Sequence, residues 1–403
     1  MTKKIVLLSA FILLGLFSSC SIQAQKELKP LRALIKNKKG ADAAKMVESL
    51  AKDSALALEP KLFNFGKEAQ ILINDEENEK IYLGKSYDTI RFFNSTYGIF
   101  DYILQCEKLE QKRLAEARQK MKFHKSNGST IRRYYPNLCA AGRYFHSKKK
   151  YGEVVRFMEM VLEVPTLPIW GDNRKILKEE NYLDNAYLYL RSAYFSKDYE
   201  KVEKYKDLVM QDTAYRPSTL EMLTLSKLAL GDTVQYVNYL VQGLQEYPLT
   251  PFYFSRLTDH LTEKKDYRRA LALADSMLTI DKNNVLFLVS KTVSLLNLQR
   301  NVEAIEVAQK ILEIDSTIVA PLFYIGAAYC NLANELKLPT NINSLAYKTV
   351  SAKQKYYYAE ARPYIERYRL AMPEEKNRWA PLLYRIYLSL NMGKKFEEIE
   401  KIL

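Results

Sequence analysis

A period of 34 residues runs through the second half of this chain and constrains its fold more than any local feature. The turn pairs Asp198-Tyr199, Gly231-Asp232, Asp266-Tyr267 and Arg300-Asn301 recur at that spacing, with Asp198, Asp232, Asp266 and Arg300 in register. Behind them Val202, Ala270 and Ala304 share one register position, with Tyr236 as the odd member. Leu244, Leu278 and Leu312 repeat further on, as do Ile280-Asp281 and Ile314-Asp315. A fixed period of this length marks one supersecondary unit copied in tandem, and it is the length of a helix–turn–helix repeat. Each unit of such an array packs only on its neighbours, so 403 residues need no single large core. Repeated helix pairs present surfaces more often than closed pockets, which weighs against an enzyme.

One unit read in detail shows why the repeat is helical. Apolar residues recur at helical spacing over 285–299, which predicts a first helix, A. A second helix, B, is expected over 301–313, with Ala304, Ala308 and Ile311 facing helix A. Small residues there let the two axes approach closely. Asp315-Ser316 then supplies a turn and a cap. Units beginning at 183, 217, 251, 285 and 319 share this frame, with Pro217, Pro251 and Pro321 in the first turn of helix A, where a missing N–H costs little. Composition agrees: glycine and proline are scarce at 13 each, as long helices with short connections require.

These units resemble tetratricopeptide repeats. Leu322, Ile325-Gly326 and Tyr329 match the family pattern in helix A. Gly231-Asp232, Asp266-Tyr267, Ala270 and Ala304 match its turn and helix B. An upstream unit from 135 carries Leu138, Gly142, Phe145, Tyr151 and Pro165, and one from about 59 carries Leu62, Phe65-Gly66 and Ala69. The resemblance implies an all-α fold, an α-solenoid of helix–turn–helix repeats forming a right-handed superhelix. Irregular stretches interrupt it. They are a long helical stretch at 88–122 ending in a polar break at 125–130, an insertion at 166–182, and another at 336–355 before a helix B at 356–370. The expected organisation is a signal segment at 1–24, irregular N-terminal repeats at 25–134, a regular array at 135–335, and an extended repeat with capping helices at 336–403.

Lys3 and Lys4 followed by an apolar run from Ile5 to Phe17 read as a secretory signal, too short to span a bilayer. Two exits fit: ordinary cleavage after Ala24, or a lipobox-like Phe17-Ser18-Ser19-Cys20 that would leave a lipidated Cys20. Removal takes away two lysines and no acid, so the net charge of +14 becomes +12. A basic exported protein meets acidic partner proteins, anionic glycans or lipid head groups before nucleic acid, although such charge also serves solubility alone. The Ala-Gln signal ending, the 88–94 segment and the Tyr-rich C-terminal repeat look similar to exported tetratricopeptide proteins of Bacteroidetes. Six Asp-Ser/Thr triplets, from Asp53, Asp88, Asp212, Asp232, Asp275 and Asp315, resemble the O-glycosylation site of that phylum. Ser54, Thr89, Thr213, Thr233 and Ser316 are the candidate acceptors; Asp275 falls inside an expected helix. The same pairs are natural turn and cap residues, which a repeat would copy anyway.

Catalytic patterns are missing from the sequence. His124, His146 and His260 lie far apart, with no HExxH or paired Cys/His spacing, and Gly84-Lys85-Ser86 lacks the glycine a phosphate loop needs at Glu79. No cofactor or metal is expected. Three cysteines after Cys20 do not make a disulfide framework.

The resemblance instead implies a concave groove built from the second, fifth, ninth and twelfth positions of helix A. Near its start this frame supplies Arg143, His146, Tyr187, Arg191 and Tyr194, a basic and aromatic set suited to carboxylates. Asp259 follows, then an apolar stretch with Val289, Val293, Leu296 and Phe323, filled at least in part by neighbouring helices, and Asn297 and Asn331 one step further. The basic stretch 112–133, with eight Lys or Arg, suits an anionic membrane or glycan or simply a solvated helix face. The expected function is a non-enzymatic exported scaffold that binds partner proteins or peptides in its concave groove, in the periplasm. The alternative is an outer-membrane lipoprotein accessory for glycan binding or uptake.

Overall fold

The computed structural model describes residues 26–403, and every regular element among them is helical. The chain divides into two compact units, one ending at Thr233 and the other beginning at Val234.

In the first unit a helix at 26–36 (α1) precedes α2 (Gly40–Leu50), α3 (Pro60–Tyr82), α4 (Thr89–Ala117), α5 (His124–Ser147), α6 (Tyr151–Glu163), α7 (Glu180–Phe195), the single turn α8 (Lys206–Val209) and α9 (Arg216–Ala229). The second unit holds α10 (Thr233–Glu246, starting at the boundary), α11 (Pro251–Glu263), α12 (Tyr267–Leu278), α13 (Val285–Asn297), α14 (Asn301–Ile314), α15 (Ala320–Glu335), α16 (Leu345–Ala371), α17 (Lys376–Ser389) and α18 (Gly393–Glu400).

The period is written most plainly in the backbone of the turns. Lys197, Gly231, Lys265 and Gln299 follow one another at 34 residues, and all have positive φ, between 55° and 75°. In each turn the next N–H reaches back five residues: Asp198 to Ala193 O, Asp232 to Lys227 O, Asp266 to Leu261 O, Arg300 to Leu295 O. This is the Schellman ending, which satisfies the last carbonyls of helix A and reverses the chain into helix B. The same reach-back closes α1 (Lys39 to Leu34 O), α5 (Lys150 to Phe145 O) and α17 (Met392 to Tyr387 O), so the motif extends beyond the stretch where the sequence echoes. Asp266 then caps α12 by accepting the Arg269 N–H at 3.2 Å.

The seams between paired helices are made by small residues. Ala304 and Ala308 are fully buried, with Ile311 a turn further on, and Leu271 and Leu295 pack around Ala304. A Cβ on Gly326 would stand 2.4 Å from Ile365 of α16, and one on Gly66 would stand 2.6 Å from Tyr102 of α4. The second contact corrects the sequence reading of 88–122 as a stretch lying between units. It is the helix B of α3, capped by Asp88 and ending at Arg118 in the left-handed region.

Three other expectations change. The polar stretch 125–130 is the first part of α5, not a break. Ser126, Ser129 and Thr130 return their hydroxyls to carbonyls of the same segment, and the buried Asn127 accepts a hydrogen bond from Lys67. The extended repeat begins its helix B at Leu345 instead of 356, because Ser344 caps it and Gln354 and Tyr358 tie it to α15. The helix B expected after Asp198 is reduced to a 3-10 turn, Lys201–Glu203, and the single turn α8. Its register gives the reason: Lys206 stands where Ala274 and Ala308 are buried, and an ammonium cannot enter that slot.

Candidate functional site

In the first unit, five predicted groove residues occupy two stripes. Arg143 and His146 are one turn apart on α5; Tyr187, Arg191 and Tyr194 follow at helical spacing on α7. Aromatic contacts join the stripes. The His146 ring lies 6.2 Å from Tyr151, Tyr151 stacks on Phe195 at 5.2 Å, and the Arg191 guanidinium sits 5.5 Å over the same Phe195. Tyr194 meets Phe195 edge-on at 5.5 Å and Tyr199 at 6.1 Å. Phe195 remains 46% exposed. Arg143 and Arg191 are both exposed, and neither forms an ion pair among the described residues. The result is a continuous basic and aromatic strip whose cations lack acids.

Tyr187 belongs to an adjoining, more rigid pair. It stacks on Tyr215 at 4.1 Å and 10°, and its hydroxyl is 3.0 Å from Ser218 Oγ. Tyr215 donates to Asp184 Oδ1 at 2.7 Å, and that hydrogen bond, helped by burial, pushes its phenol up to about 12. Beneath the strip, burial pushes the Cys139 thiol up to about 11 against the pull of Arg143, so it stays protonated at neutral pH. Cys106, Cys139 and Cys330 are all free.

The three predicted residues of the second unit do not form a comparable patch. Asp259 is exposed on α11. Asn297 turns back to donate to Val293 O of its own helix at 2.8 Å. Asn331 donates to the buried Asn301, which in turn donates to Glu335 Oε1 at 2.7 Å. Its amide is therefore part of a structural network. Phe323, from the apolar stretch, packs on Tyr368 and carries the Arg378 guanidinium 4.1 Å over its ring. Leu296 is packed against the cores around Ala304 and Ile325.

The frame of inward positions missed Tyr151, Phe195 and Tyr199, which complete the strip. They stand at the end of helix A or the start of helix B, outside that frame. The usable signal is that all three flank a Schellman turn, where side chains from two helices converge.

Cys20 and the signal segment lie outside the described residues. The Asp residues of the triplets serve as turn acceptors: Asp53 Oδ1 takes the Ala55 and Leu56 N–H, Asp212 Oδ1 those of Ala214 and Tyr215, and Asp315 Oδ1 that of Thr317. Ser54, Thr213, Thr233 and Ser316 are exposed, Thr89 is half-buried in the first turn of α4, and Ser276 is exposed within α12. Among the described residues no group of three or more His, Cys, Asp or Glu could hold a metal ion. None of their helices is long and apolar enough to cross a membrane.

The repeated turn, its 34-residue spacing and the small-residue seams define an all-α protein of tandem helix–turn–helix repeats of tetratricopeptide type. No protein-family model matches the sequence, and neither does any curated protein. Among solved structures it is similar to the C-terminal part of a TPR repeat-containing protein from Cytophaga hutchinsonii, at 10% identity and a TM-score of 0.43, covering 65% of this chain and 93% of that one. It is also similar to the TPR domain of P58(IPK), at 12% identity and a TM-score of 0.25, covering 93% and 98%. The TPR2AB domain of yeast Sti1 in its pHSP90 complex matches at 14% identity and a TM-score of 0.23, covering 64% and 98%.

Proposed function

We propose that this chain is an exported, non-enzymatic scaffold that captures acidic segments of partner proteins in the cell envelope on the α5–α7 strip. The observation that carries this reading is the pair Arg143 and Arg191, exposed and without acids, beside the half-exposed Phe195. Guanidinium groups bind carboxylates through two parallel hydrogen bonds, and a neighbouring ring strengthens the contact by excluding water. The mechanism is reversible docking without turnover.

The test is a double charge reversal, Arg143→Glu with Arg191→Glu, followed by crosslinking and recovery of partners from envelope extracts. Loss of the partners with unchanged far-ultraviolet circular dichroism supports the strip as the site. Equal recovery of the same partners removes it. The mature N-terminus, read by mass spectrometry, decides the compartment: a chain starting at Gln25 fits the periplasm, and a lipidated Cys20 fits the outer membrane. Intact mass also tests modification at Ser54, Thr89, Thr213, Thr233 and Ser316; a bare peptide mass removes it.

A second reading, glycan capture by a surface lipoprotein, draws on the exposed Phe195 flanked by Tyr151 and Tyr194, since sugar rings stack on such faces. Lipidation of Cys20 favours it.

A further inference from the structure

A second region of the first unit has the shape and charge of a small-ligand site. The start of α3, the last third of α4, the loop that follows α4 and Leu28 of α1 enclose a cavity of about 360 Å³. That lies in the size range of small-molecule sites. Four cations line it: Lys61, Arg113, Lys120 and Lys122. Its two acids are already engaged. Glu59 accepts from Arg113 at 2.9 Å, and the buried Glu110 accepts the backbone N–H of Lys122 at 2.6 Å and of Phe123 at 3.0 Å. Glu110 therefore anchors the loop that carries two of the lysines. Lys61, Lys120 and Lys122 have no ion pair among the described residues; Lys61 only rests 6.0 Å over the Phe65 ring.

Three unpaired ammonium groups around one recess create a focused positive potential. With Glu59 and Glu110 set against the four cations the lining keeps a net charge of +2, so a single carboxylate would compensate only half of it. A tetrahedral dianion has the charge and enough acceptor oxygens for three point-charge donors, the role lysine commonly fills toward phosphate. A bare phosphate would not fill the cavity, and Leu28, Pro60 and Phe123 supply an apolar wall for an organic body. We propose that this cavity binds a small soluble molecule bearing a phosphate or sulfate group, independently of partner capture on the α5–α7 strip.

The test is calorimetric titration of the purified protein at fixed ionic strength with inorganic phosphate, phenyl phosphate and acetate. The Lys120→Gln/Lys122→Gln variant serves for comparison; both side chains are exposed, and glutamine keeps the N–H that Glu110 holds. The expected result is saturable one-to-one binding of both phosphates, phenyl phosphate the tighter, weakened about tenfold or more in the variant while helicity is unchanged. Equal binding by protein and variant, or an equal response to acetate, overturns the proposal. So does cosedimentation with phosphatidylglycerol vesicles that phosphate does not displace, which would assign the lysines to a membrane surface.

Discussion

The seams around α3 to α5 and those around α12 to α15 differ in how much polar material they bury. In the second unit, α12 to α15 meet mostly through alanines and branched aliphatic residues, with Ala274, Ala304, Ala308 and Ala328 wholly or almost wholly buried and the amide network around Asn301 as the polar exception. In the first, α3 to α5 add a set of buried polar groups to the close approach of Gly66 and Tyr102. Lys67 donates to Asn64 and Asn127, Asn74 donates to Ser95, Thr96 and a carbonyl of α4, and Glu77, Glu107 and Glu110 are held by cations, a histidine or backbone N–H groups. A small apolar seam tolerates copying, because any neighbour with the same slot will fit it. A polar seam is specific to its partners, since each buried group left alone costs more than its bond returned.

That contrast can be broken most sharply in the second unit. Ala304→Trp should overpack the seam and lower stability by about 3 kcal/mol, read as a drop in denaturation midpoint; an unchanged midpoint would mean that α13 and α14 do not meet there.

In the first unit the corresponding lesion is Glu77→Gln, expected to cost about 2 kcal/mol by weakening hydrogen bonds to charged donors. Burial raises the Glu77 carboxyl, but the bonds from Lys80, the Asp88 N–H and Arg91 outweigh it and hold the group near 2, below the ordinary 4.5. Its contribution is therefore complete above pH 4.5 and lost as pH falls toward 2. The wild-type chain should lose stability across that window more steeply than the variant. Parallel acid-denaturation curves would contradict the assignment.

The turns allow a finer comparison. Gly231→Ala places a side chain in the left-handed region that Lys197, Lys265 and Gln299 already tolerate, and should cost about 1 kcal/mol in thermal unfolding. The smallest expected effect is at the broken helix B. Lys206→Ala restores the residue type found at 274 and 308, and should add helical ellipticity with a gain of about 0.5 kcal/mol. No gain would mean that something other than this lysine interrupts the helix.

Much of the architecture was readable before any coordinates. Ala304, Ala308 and Ile311 announced the seam by their type and spacing, and Ile325-Gly326 announced a close approach that Ile365 occupies. Other features had no sequence signal. Lysine or glutamine at 197, 265 and 299 does not advertise a left-handed turn. The insertion at 166–182 falls outside the repeat frame, yet Trp170 packs on Tyr135 at 5.0 Å and its carbonyl accepts from Arg132 at 2.6 Å. The candidate site was half visible: Arg143, His146, Arg191 and Tyr194 followed from the frame, whereas Tyr151 and Phe195, which connect them, did not.

What the sequence determined by itself is the repeating helix pair, because periodicity, small residues at the seam and turn chemistry are local properties of neighbouring residues. What only tertiary structure decided is the use made of each polar or aromatic side chain. Asn331 stands one helical turn further along its repeat than Arg191 does in its own, and both carry polar groups, but one is tied into an amide network and the other stands over an exposed ring without an acid. That difference depends on which groups distant in the chain arrive beside them, and so on packing that no local pattern records.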